Sequence, residues 1–340
     1  MTEKGVVILT PVFAPDPRGA GKMVSDVCAD LVGRGVSVRV VAGAVPDHSS
    51  GRGSTDVTST EGVSITRLGG DATRGIGALM FMLSCLWTVL FRTNRSERIL
   101  VLSSPPFLAV VVAAGCSIRR LRAVYWMMDV HPEALTLALT LPQRLVSFLH
   151  ALHQWAAQQF ATVIYLGRCM PDLVSLPPQA VLVRPWGKEA LHSPTDSDGP
   201  WLYAGNLGVG HELDTLFRAC VTVTPAVRPA LEIVLPEAQA VSLRNQVEVM
   251  GLGSCVKVRS QLSETEFTRM LGRVSVHVVS LGPTASGVMV PSKFFTAVAN
   301  GCPVLYLGPR SSEVGRLISE FRCGVQVDNG DVDGLVSAVG

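Results

Sequence analysis

The sequence predicts an α/β protein built from two doubly wound parallel sheets. Apolar, β-branched runs alternate with helical stretches along both halves of the 340-residue chain, the pattern of parallel strands joined by crossover helices. Several of the runs are almost uninterrupted by polar residues, so their strands should be covered on both faces. A polar segment between the halves interrupts the alternation and indicates two domains.

The first half of the chain is predicted to form one complete α/β domain, residues 1–186. Its predicted strands are residues 5–10, 36–41, 98–102, 123–128, 161–166 and 180–183. Its predicted helices are residues 20–34, 76–92, 107–121, 142–160 and 168–176. Residues 187–200 are polar and rich in turn formers, which predicts an interdomain linker.

The alternation resumes in residues 201–340, the predicted second domain. Its predicted strands are residues 201–204, 231–235, 256–259, 274–279, 304–307 and 324–327. Its predicted helices are residues 212–223, 237–250, 264–271, 291–300, 312–321 and 332–339. Two Rossmann-like domains in tandem are expected to face a central cleft that holds a ligand.

Composition narrows the class of protein. Charged residues make up 16% and hydrophobic residues 48% of the chain, which excludes disorder. The net charge of +2 is too small to indicate a nucleic-acid partner. The eight cysteines are scattered singly, and the first residues run into a strand pattern without a secretory signal. A cytoplasmic protein is therefore expected.

Two apolar helices are each followed by arginines. The first apolar run, residues 76–91, is short of the roughly 20 residues that cross a bilayer, and Arg92, Arg95 and Arg98 follow it. An apolar helix with a basic end suits an anionic membrane surface, but a buried helix with a favourable C-terminal charge shows the same pattern. Both interpretations stay open for this run. The second run, residues 107–118, has small residues that favour burial.

The first strand is followed by a loop in which Gly19 and Gly21 open a helix, and glycines there let the backbone approach an anion. The loop is not a Walker motif, since Asp16 replaces its early glycine and Met23 stands where Ser or Thr would bind magnesium. It is not a G-x-G-x-x-G fingerprint either, since Val24 occupies the third glycine position. A glycine-rich turn without a ligand is the alternative.

The second domain opens with an equivalent loop. Gly205, Gly208 and Gly210 follow a predicted strand and precede a predicted helix. Asn206 and His211 lie in the same loop and have side chains that donate hydrogen bonds to phosphate or sugar oxygens. The alternative for His211 is a surface residue at a helix start.

A short helix is predicted to begin at Pro291, because proline suits a first helical position, and to end before Gly301. Ser292 and Lys293 then lie among unpaired backbone N–H groups at the positive end of the helix dipole, which favours a phosphate. The alternative is a capped core helix with a solvated lysine.

Polar residues also follow the strand predicted at 123–128. Asp129, His131 and Glu133 come just past its carboxyl end, where parallel α/β sheets carry their chemistry. A metal site is discounted, because the alternate spacing of Asp129 and His131 in an extended segment supplies only two well-directed ligands.

Taken together, these segments resemble the retaining GT-B glycosyltransferases of family 4, in the bacterial branch that builds exopolysaccharide, capsule and O-antigen. The resemblance lies in APDPRGAGK, WMMDVHPEA, YAGNLGVGHELDTL and GVMVPSKFFTAVANGCPVLYLGP, in that order along nearly the whole chain. It implies that a sugar moves from a nucleotide-diphosphate carrier to a lipid-linked saccharide in cell-surface polysaccharide biosynthesis. It also implies no obligatory metal or other cofactor. The apolar helix that Arg92, Arg95 and Arg98 follow adds the expectation of a cytoplasmic protein peripheral to the inner face of the cell membrane.

The resemblance also implies roles for particular residues. The second domain would hold the donor, with its diphosphate near residues 205–210 and the start of the Pro291 helix, where Lys293 stabilises the leaving group. The first domain would bind the acceptor, with Asp129 and His131 as its catalytic candidates. Gly19 and Gly21 would approach the donor phosphates when the domains close.

The sequence departs from the family pattern in three places. Many relatives present two glutamates around the donor ribose and sugar at the positions that are Val288 and Thr296 here. Many also carry Arg and Lys in the loop that reads Asn206 to His211 here, and the chain stops at Gly340, before the terminal helix expected of such proteins. A nucleotide-sugar 2-epimerase of the same fold and a non-catalytic sugar-nucleotide binder are the alternatives.

Overall fold

The structure is a computed structural model that describes residues 5–16, 19–44, 57–60, 62–187, 199–224, 228–260 and 262–339. The chain divides into two compact units, Met1–Arg184 and Pro185–Gly340. Most of the predicted linker, residues 188–198, lies outside the described residues.

A mostly parallel sheet forms the centre of the first unit. Its strands are β1 (Gly5–Thr10), β2 (Ser37–Gly43), β3 (Val57–Thr60), β4 (Val63–Leu68), β5 (Arg98–Leu102), β6 (Ala123–Met127), β7 (Thr162–Tyr165) and β8 (Val181–Leu182). Their order in the sheet is β3-β4-β2-β1-β5-β6-β7-β8, and only the pairing of β3 with β4 is antiparallel. Val7, Ile8 and Leu9 of β1 are inaccessible to solvent, as expected of a parallel strand with both faces covered.

The helices of this unit cover its sheet. They are α1 (Gly19–Gly33), α2 (Gly75–Trp87), α3 (Leu108–Arg119), α4 (Glu133–Thr136) and α5 (Gln143–Gln159). Helix α2 continues through a π-helical turn, Thr88–Arg92, and α3 lies against α2, this turn and α5.

The second unit has a wholly parallel sheet. Its strands are β9 (Trp201–Ala204), β10 (Leu231–Leu235), β11 (Val256–Ser260), β12 (Val276–Ser280), β13 (Val304–Leu307) and β14 (Gly324–Val327), in the order β11-β10-β9-β12-β13-β14. Its helices are α6 (Asp214–Thr222), α7 (Glu237–Val249), α8 (Glu264–Leu271), α9 (Lys293–Ala299), α10 (Glu313–Phe321) and α11 (Val332–Val339). One continuous apolar core joins β9, β10 and β13 to α6 and α7. The predicted fold class of two parallel-sheet α/β domains is therefore confirmed.

The structure of the first unit differs from the prediction in two places. The β3–β4 hairpin was not predicted, although its Gly62 has the positive φ of 83° that suits a turn. The helix predicted over residues 168–176 is only a 3₁₀ turn, Met170–Asp172. Pro171 has no N–H to continue a helix, and the apolar period in this stretch reflects burial of Met170 and Val174.

Gly324→Ala should destabilise the fold. A Cβ at Gly324 would lie 1.9 Å from the Val304 carbonyl oxygen, where neither backbone can move without breaking the β13–β14 pairing. We expect a loss of about 2 kcal/mol or more in the free energy of unfolding, measured by urea denaturation. Gly33→Ala is the control, because a Cβ there meets no atom within 4 Å and should be neutral or slightly stabilising. Equal effects of the two changes would contradict this account.

Candidate functional site

A polar site forms in the second unit at the carboxyl ends of β9 and β12. These neighbouring strands lie where the strand order of the sheet reverses, which is where open α/β sheets bind ligands. The loop after β9, residues 205–213, and the loop after β12 meet there, together with the beginning of α9.

The loop after β9 is fastened at several points. The Gly282 N–H donates to the Gly210 carbonyl at 2.6 Å. The Glu212 N–H donates to Ser280 Oγ at 2.8 Å, and the Ser280 hydroxyl donates to the Glu212 carbonyl at 2.5 Å. The Leu207 N–H donates to Gln239 Oε1 at 3.0 Å. The conformation of this loop is therefore set by strands and helices rather than by the loop alone.

The Lys293 ammonium group lies beneath this loop. Its Nζ donates to Tyr203 Oη at 3.1 Å and to the Asn206 carbonyl at 3.4 Å, and it lies 4.6 Å from the centre of the Tyr203 ring. No carboxylate pairs with it anywhere in the described ranges. Two of its three N–H groups have a protein acceptor, so one remains for a ligand.

Gly205 makes room for this lysine. A Cβ at Gly205 would lie 2.5 Å from Lys293 Cε, and the residue has a φ of +124°, which side-chain-bearing residues rarely adopt. Gly208 of the same loop has neither constraint, since a Cβ there would meet no atom within 4 Å. The two glycines therefore have different roles. The position of the Lys293 side chain requires a glycine at 205, whereas it does not require one at 208.

Burial and positive charge lower the pKa values in this site. Desolvation lowers the pKa of Lys293 to about 8. Burial and then the nearby Lys293 charge lower the pKa of His211 to about 4. His211 Nδ1 lies 2.6 Å from the Ser280 carbonyl, which can only accept, so Nδ1 carries the proton and the neutral ring leaves Nε2 as an acceptor.

The loop after β9 also contains backbone donors that have no acceptor among the described residues. Within the part of the chain that the structure describes, the N–H groups of Gly208 and Gly210 donate to no protein acceptor. Together with the Lys293 ammonium, they give the loop an excess of donors. Such an excess matches a ligand that has many acceptors, as a diphosphate has.

The predicted start of the helix at Pro291 is wrong. Helix α9 begins at Lys293, with Ser292 as its N-cap residue. The Phe294 N–H bonds the Pro291 carbonyl three residues back, and the first bond that spans four residues runs from the Thr296 N–H to the Ser292 carbonyl. Ser292 is exposed, and its side chain makes no capping hydrogen bond.

In the first unit, the loops after β5 and β6 meet at one edge of the sheet. The N–H groups of Met128 and Asp129 both donate to Ser103 Oγ at 3.2 Å. The Phe107 and His131 rings lie 6.1 Å apart, and Phe107 has a strained φ of 67°.

The titratable side chains in this cluster have shifted pKa values. Burial raises the pKa of Asp129 to about 6 and lowers the pKa of His131 to about 4. His131 Nδ1 is buried without a hydrogen-bond partner among the described residues. Behind it, the Tyr125 hydroxyl bonds His153 Nε2 at 3.0 Å. Asp129 and His131 therefore lie in one loop that Ser103 holds through the Met128 and Asp129 N–H groups.

The first glycine loop is described only in part, since residues 17–18 lie outside the described ranges. Gly19 and Gly21 are the first and third residues of α1. A Cβ at Gly21 would lie 3.0 Å from Val12 Cγ1 and 3.3 Å from the Asp16 carbonyl, so close packing of the helix start on the loop also accounts for this glycine. The nearly buried Arg67 donates to the carbonyls of Ala14 and Gly43 and so ties the loop to β2 and β4.

The two positions where the family pattern fails have different surroundings. Val288 is 3% exposed, so it belongs to the core. Thr296 is half-buried on α9, and its carbonyl accepts from Asn300 Nδ2 at 2.7 Å.

Over the described ranges, no three His, Cys, Asp or Glu side chains come close enough to hold a metal ion.

Sequence reasoning missed three residues that shape these sites. In the sequence, Tyr203 is an ordinary residue of an apolar strand, although its hydroxyl bridges Lys293 and Asn206 in the structure. Ser280 ends a strand and Arg67 lies on a strand that was not predicted. A polar residue at the carboxyl end of a buried strand is the signal by which Ser280 can be found.

No protein-family model matches this sequence, and no curated protein matches it. Solved structures match its fold across almost the whole chain. Sucrose-phosphate synthase from Thermosynechococcus elongatus has a TM-score of 0.71 at 14% identity, covering 99% of this chain and 88% of that one. Anabaena HepE in complex with UDP-glucose has a TM-score of 0.65 at 14% identity, covering 98% and 88%.

A third similar structure is WaaB, a lipopolysaccharide outer core galactosyltransferase. Its TM-score is 0.62 at 9% identity, covering 98% of this chain and 89% of that one. These three proteins are GT-B glycosyltransferases. The likeness assigns the GT-B fold to this chain.

Lys293→Met should make the protein more stable at pH 7. The wild-type fold desolvates an ammonium group, so the pKa falls from 10.5 to about 8 and folding costs free energy wherever the unfolded lysine is charged. We expect a gain of about 1 kcal/mol in the free energy of unfolding at pH 7. The gain should shrink as the pH rises from 8 to 10.5, because the wild-type penalty disappears there. Urea denaturation at pH 7 and pH 10.5 measures both values, and a pH-independent difference would contradict the assignment.

Proposed function

We propose that this protein is a retaining glycosyltransferase that moves a sugar from a nucleotide-diphosphate sugar to a saccharide acceptor. The observation that carries the proposal is the environment of the Lys293 ammonium group. It donates to Tyr203 Oη and to the Asn206 carbonyl, and its third N–H remains for a ligand. No carboxylate pairs with it in the described ranges. A desolvated cation under a loop rich in N–H donors is suited to a diphosphate.

The proposed mechanism follows from how charge moves in the reaction. As the glycosidic bond to the donor breaks, the leaving diphosphate gains negative charge. Lys293 and the N–H groups of Gly208 and Gly210 are fixed before the reaction begins, so they stabilise this charge without the cost of reorganising. Ser292 immediately precedes α9, the helix that begins at Lys293. Its side chain is exposed, so the hydroxyl is available to the phosphates of the donor.

His211 is assigned to a hydroxyl group rather than to a phosphate. At pH 7 its ring is neutral, its Nδ1–H is engaged by Ser280, and its Nε2 can only accept. A hydroxyl of the donor sugar or ribose donates to such a nitrogen, whereas a phosphate oxygen would be repelled by its lone pair. Asn206 is exposed and keeps its side-chain amide for the same sugar.

The acceptor is assigned to the first unit. Asp129, with a pKa near 6, takes up and releases a proton close to neutral pH, and the buried His131 Nδ1 has no hydrogen-bond partner among the described residues. Gly19 and Gly21 are the first and third residues of α1 and are proposed to contact phosphate. No metal or other cofactor is part of this proposal. The protein is proposed to be cytoplasmic and peripheral to the inner face of the cell membrane.

The acceptor is proposed to be a lipid-linked saccharide in cell-surface polysaccharide biosynthesis. Support comes from WaaB, which acts on lipopolysaccharide by its name. HepE, which was solved with UDP and glucose, supports the nucleotide-sugar donor. Incubation with nucleotide sugars and lipid-linked or free saccharides tests the activity, with the product's anomeric configuration read by NMR. Product formed without any acceptor would indicate a 2-epimerase instead. Donor binding with no turnover on any acceptor would indicate a non-catalytic binder.

Gly205→Ala should weaken nucleotide binding. Its Cβ displaces the Lys293 side chain, so we expect the affinity for UDP, or for whichever of GDP, ADP and dTDP binds best, to fall at least about tenfold. Gly208→Ala is the matched control in the same loop, where a Cβ meets open space, and its affinity should stay within about threefold. Isothermal titration calorimetry measures both. Equal losses in the two variants would show that nucleotide affinity depends on the loop and not on the position of Lys293.

Nucleotide affinity should fall above pH 8. The free protein must carry a protonated Lys293 to bind the diphosphate, and its pKa of about 8 means that the ammonium is lost as the pH rises further. We expect a loss approaching about tenfold per pH unit between pH 8.5 and 9.5. Lys293→Met should bind weakly with a flat profile over this range. The same fall in Lys293→Met would assign the titration to another group.

A further inference from the structure

The helix formed by α2 and its π-helical turn has two apolar faces, and only one of them is covered. One face, which includes Ala78, Phe81, Cys85 and Val89, is buried. The opposite face is what we call the exposed apolar face. Its side chains are exposed to the following extents: Ile76 81%, Leu79 52%, Met80 55%, Leu83 51%, Trp87 55% and Phe91 63%.

The spacing of these residues is helical, so they form one continuous stripe along the helix. The Trp87 and Phe91 rings pack on each other with centroids 4.3 Å apart, in the open. Large apolar side chains are often exposed singly on a soluble protein, but a stripe of six along one helix marks an interaction surface.

The charged residues that follow the stripe in the sequence are almost all positive. Residues 76–122 contain six arginines and a single acid, Glu97, which is paired with Arg39. The Arg119 side chain donates to the Leu90 carbonyl, so the basic end of α3 lies beside the basic end of α2. The arginines with exposed side chains there are Arg92, Arg95, Arg98, Arg120 and Arg122.

The helix could also be taken for a membrane span, which corrects the expectation that it is too short. Residues Gly75–Arg92 are long and apolar enough to cross a bilayer by length and composition, with a mean hydropathy of 1.7 and 28% of the helix buried. However, the buried face packs on α3, which lies against the central sheet. A helix held in this way presents one side to lipid and not its whole circumference.

We propose that the exposed apolar face is a docking surface for an anionic lipid bilayer, with α2 lying in the plane of the interface and the arginines contacting lipid phosphates. Apolar side chains enter the acyl boundary and exposed arginines add electrostatic attraction, a combination that holds interfacial helices. A second copy of the chain fits less well. In a symmetric pair the same patch faces itself, so the two arginine clusters would repel.

The inference does not depend on the proposed transferase activity, and vesicle sedimentation tests it. The protein is mixed with vesicles of phosphatidylcholine alone or with 25% phosphatidylglycerol, in 50 mM or 500 mM NaCl. We expect sedimentation with the anionic vesicles at low salt, at least tenfold weaker binding to neutral vesicles, and a marked loss in high salt.

Variants separate the apolar and the electrostatic contributions. The double change Leu83→Glu with Trp87→Glu, and separately Arg92→Gln with Arg95→Gln, should each weaken vesicle binding at least tenfold. Val249→Glu is the control, an apolar residue in α7 of the second unit that is 89% exposed, and it should bind vesicles as the wild type does. All variants should keep the wild-type affinity for UDP or the best-binding nucleotide and the wild-type thermal unfolding, because none touches the Lys293 site.

Three results would overturn the inference. Absence of binding to anionic vesicles excludes the bilayer as the partner. Self-association that is lost in the Leu83→Glu and Trp87→Glu variant, without vesicle binding, assigns the face to a second copy. Retention of the protein in membranes after alkaline carbonate extraction from cells assigns α2 to a bilayer span.

Discussion

The Lys293 ammonium group lies beneath the loop after β9 without a carboxylate partner in the described chain, and the rest of the site follows from this position. Its alkyl chain passes so close to Gly205 that no side chain fits there. Its charge lowers the pKa of His211 further than burial alone does and keeps that imidazole neutral. A charge desolvated in this way costs folding free energy, and an anionic ligand is what would compensate it.

The parallel sheets determine where such groups are found. Their strands are covered on both faces, so polar side chains are displaced to the strand ends, where the loops leave the core. In the second unit, Tyr203 and Ser280 occupy these positions on neighbouring strands, and hydrogen bonds from both reach the same loop. In the first unit, Ser103 does the same for the loop that carries Asp129. In the described part of each unit, one edge of the sheet thus carries polar residues that come from segments far apart in the sequence.

The sequence was sufficient to predict the bounds of a strand wherever burial alone decides the structure. The bounds of β1, β5, β9, β10, β13 and β14 were predicted to the residue, because short, mostly apolar runs between turn formers have few alternatives. The prediction of the start of α9 at Pro291 failed because that start depends on a single backbone hydrogen bond. The prediction of a helix near Met170 failed because the apolar period there arises from packing and not from a helix. Glycine-rich loops and Lys293 were identifiable as candidates. The contact of Lys293 with Gly205 and Tyr203 was not, because it joins residues about ninety positions apart.

The central claim is that Lys293 holds the diphosphate of a nucleotide beneath the Gly205 loop. A crystal structure of the protein with UDP, or with the nucleotide that binds best, tests it directly. This account predicts a phosphate oxygen at about 2.8 Å from Lys293 Nζ and further oxygens facing the N–H groups of Gly208 and Gly210. A nucleotide bound with its phosphates away from this loop, and with the Lys293 contacts to Tyr203 and Asn206 unchanged, would contradict it.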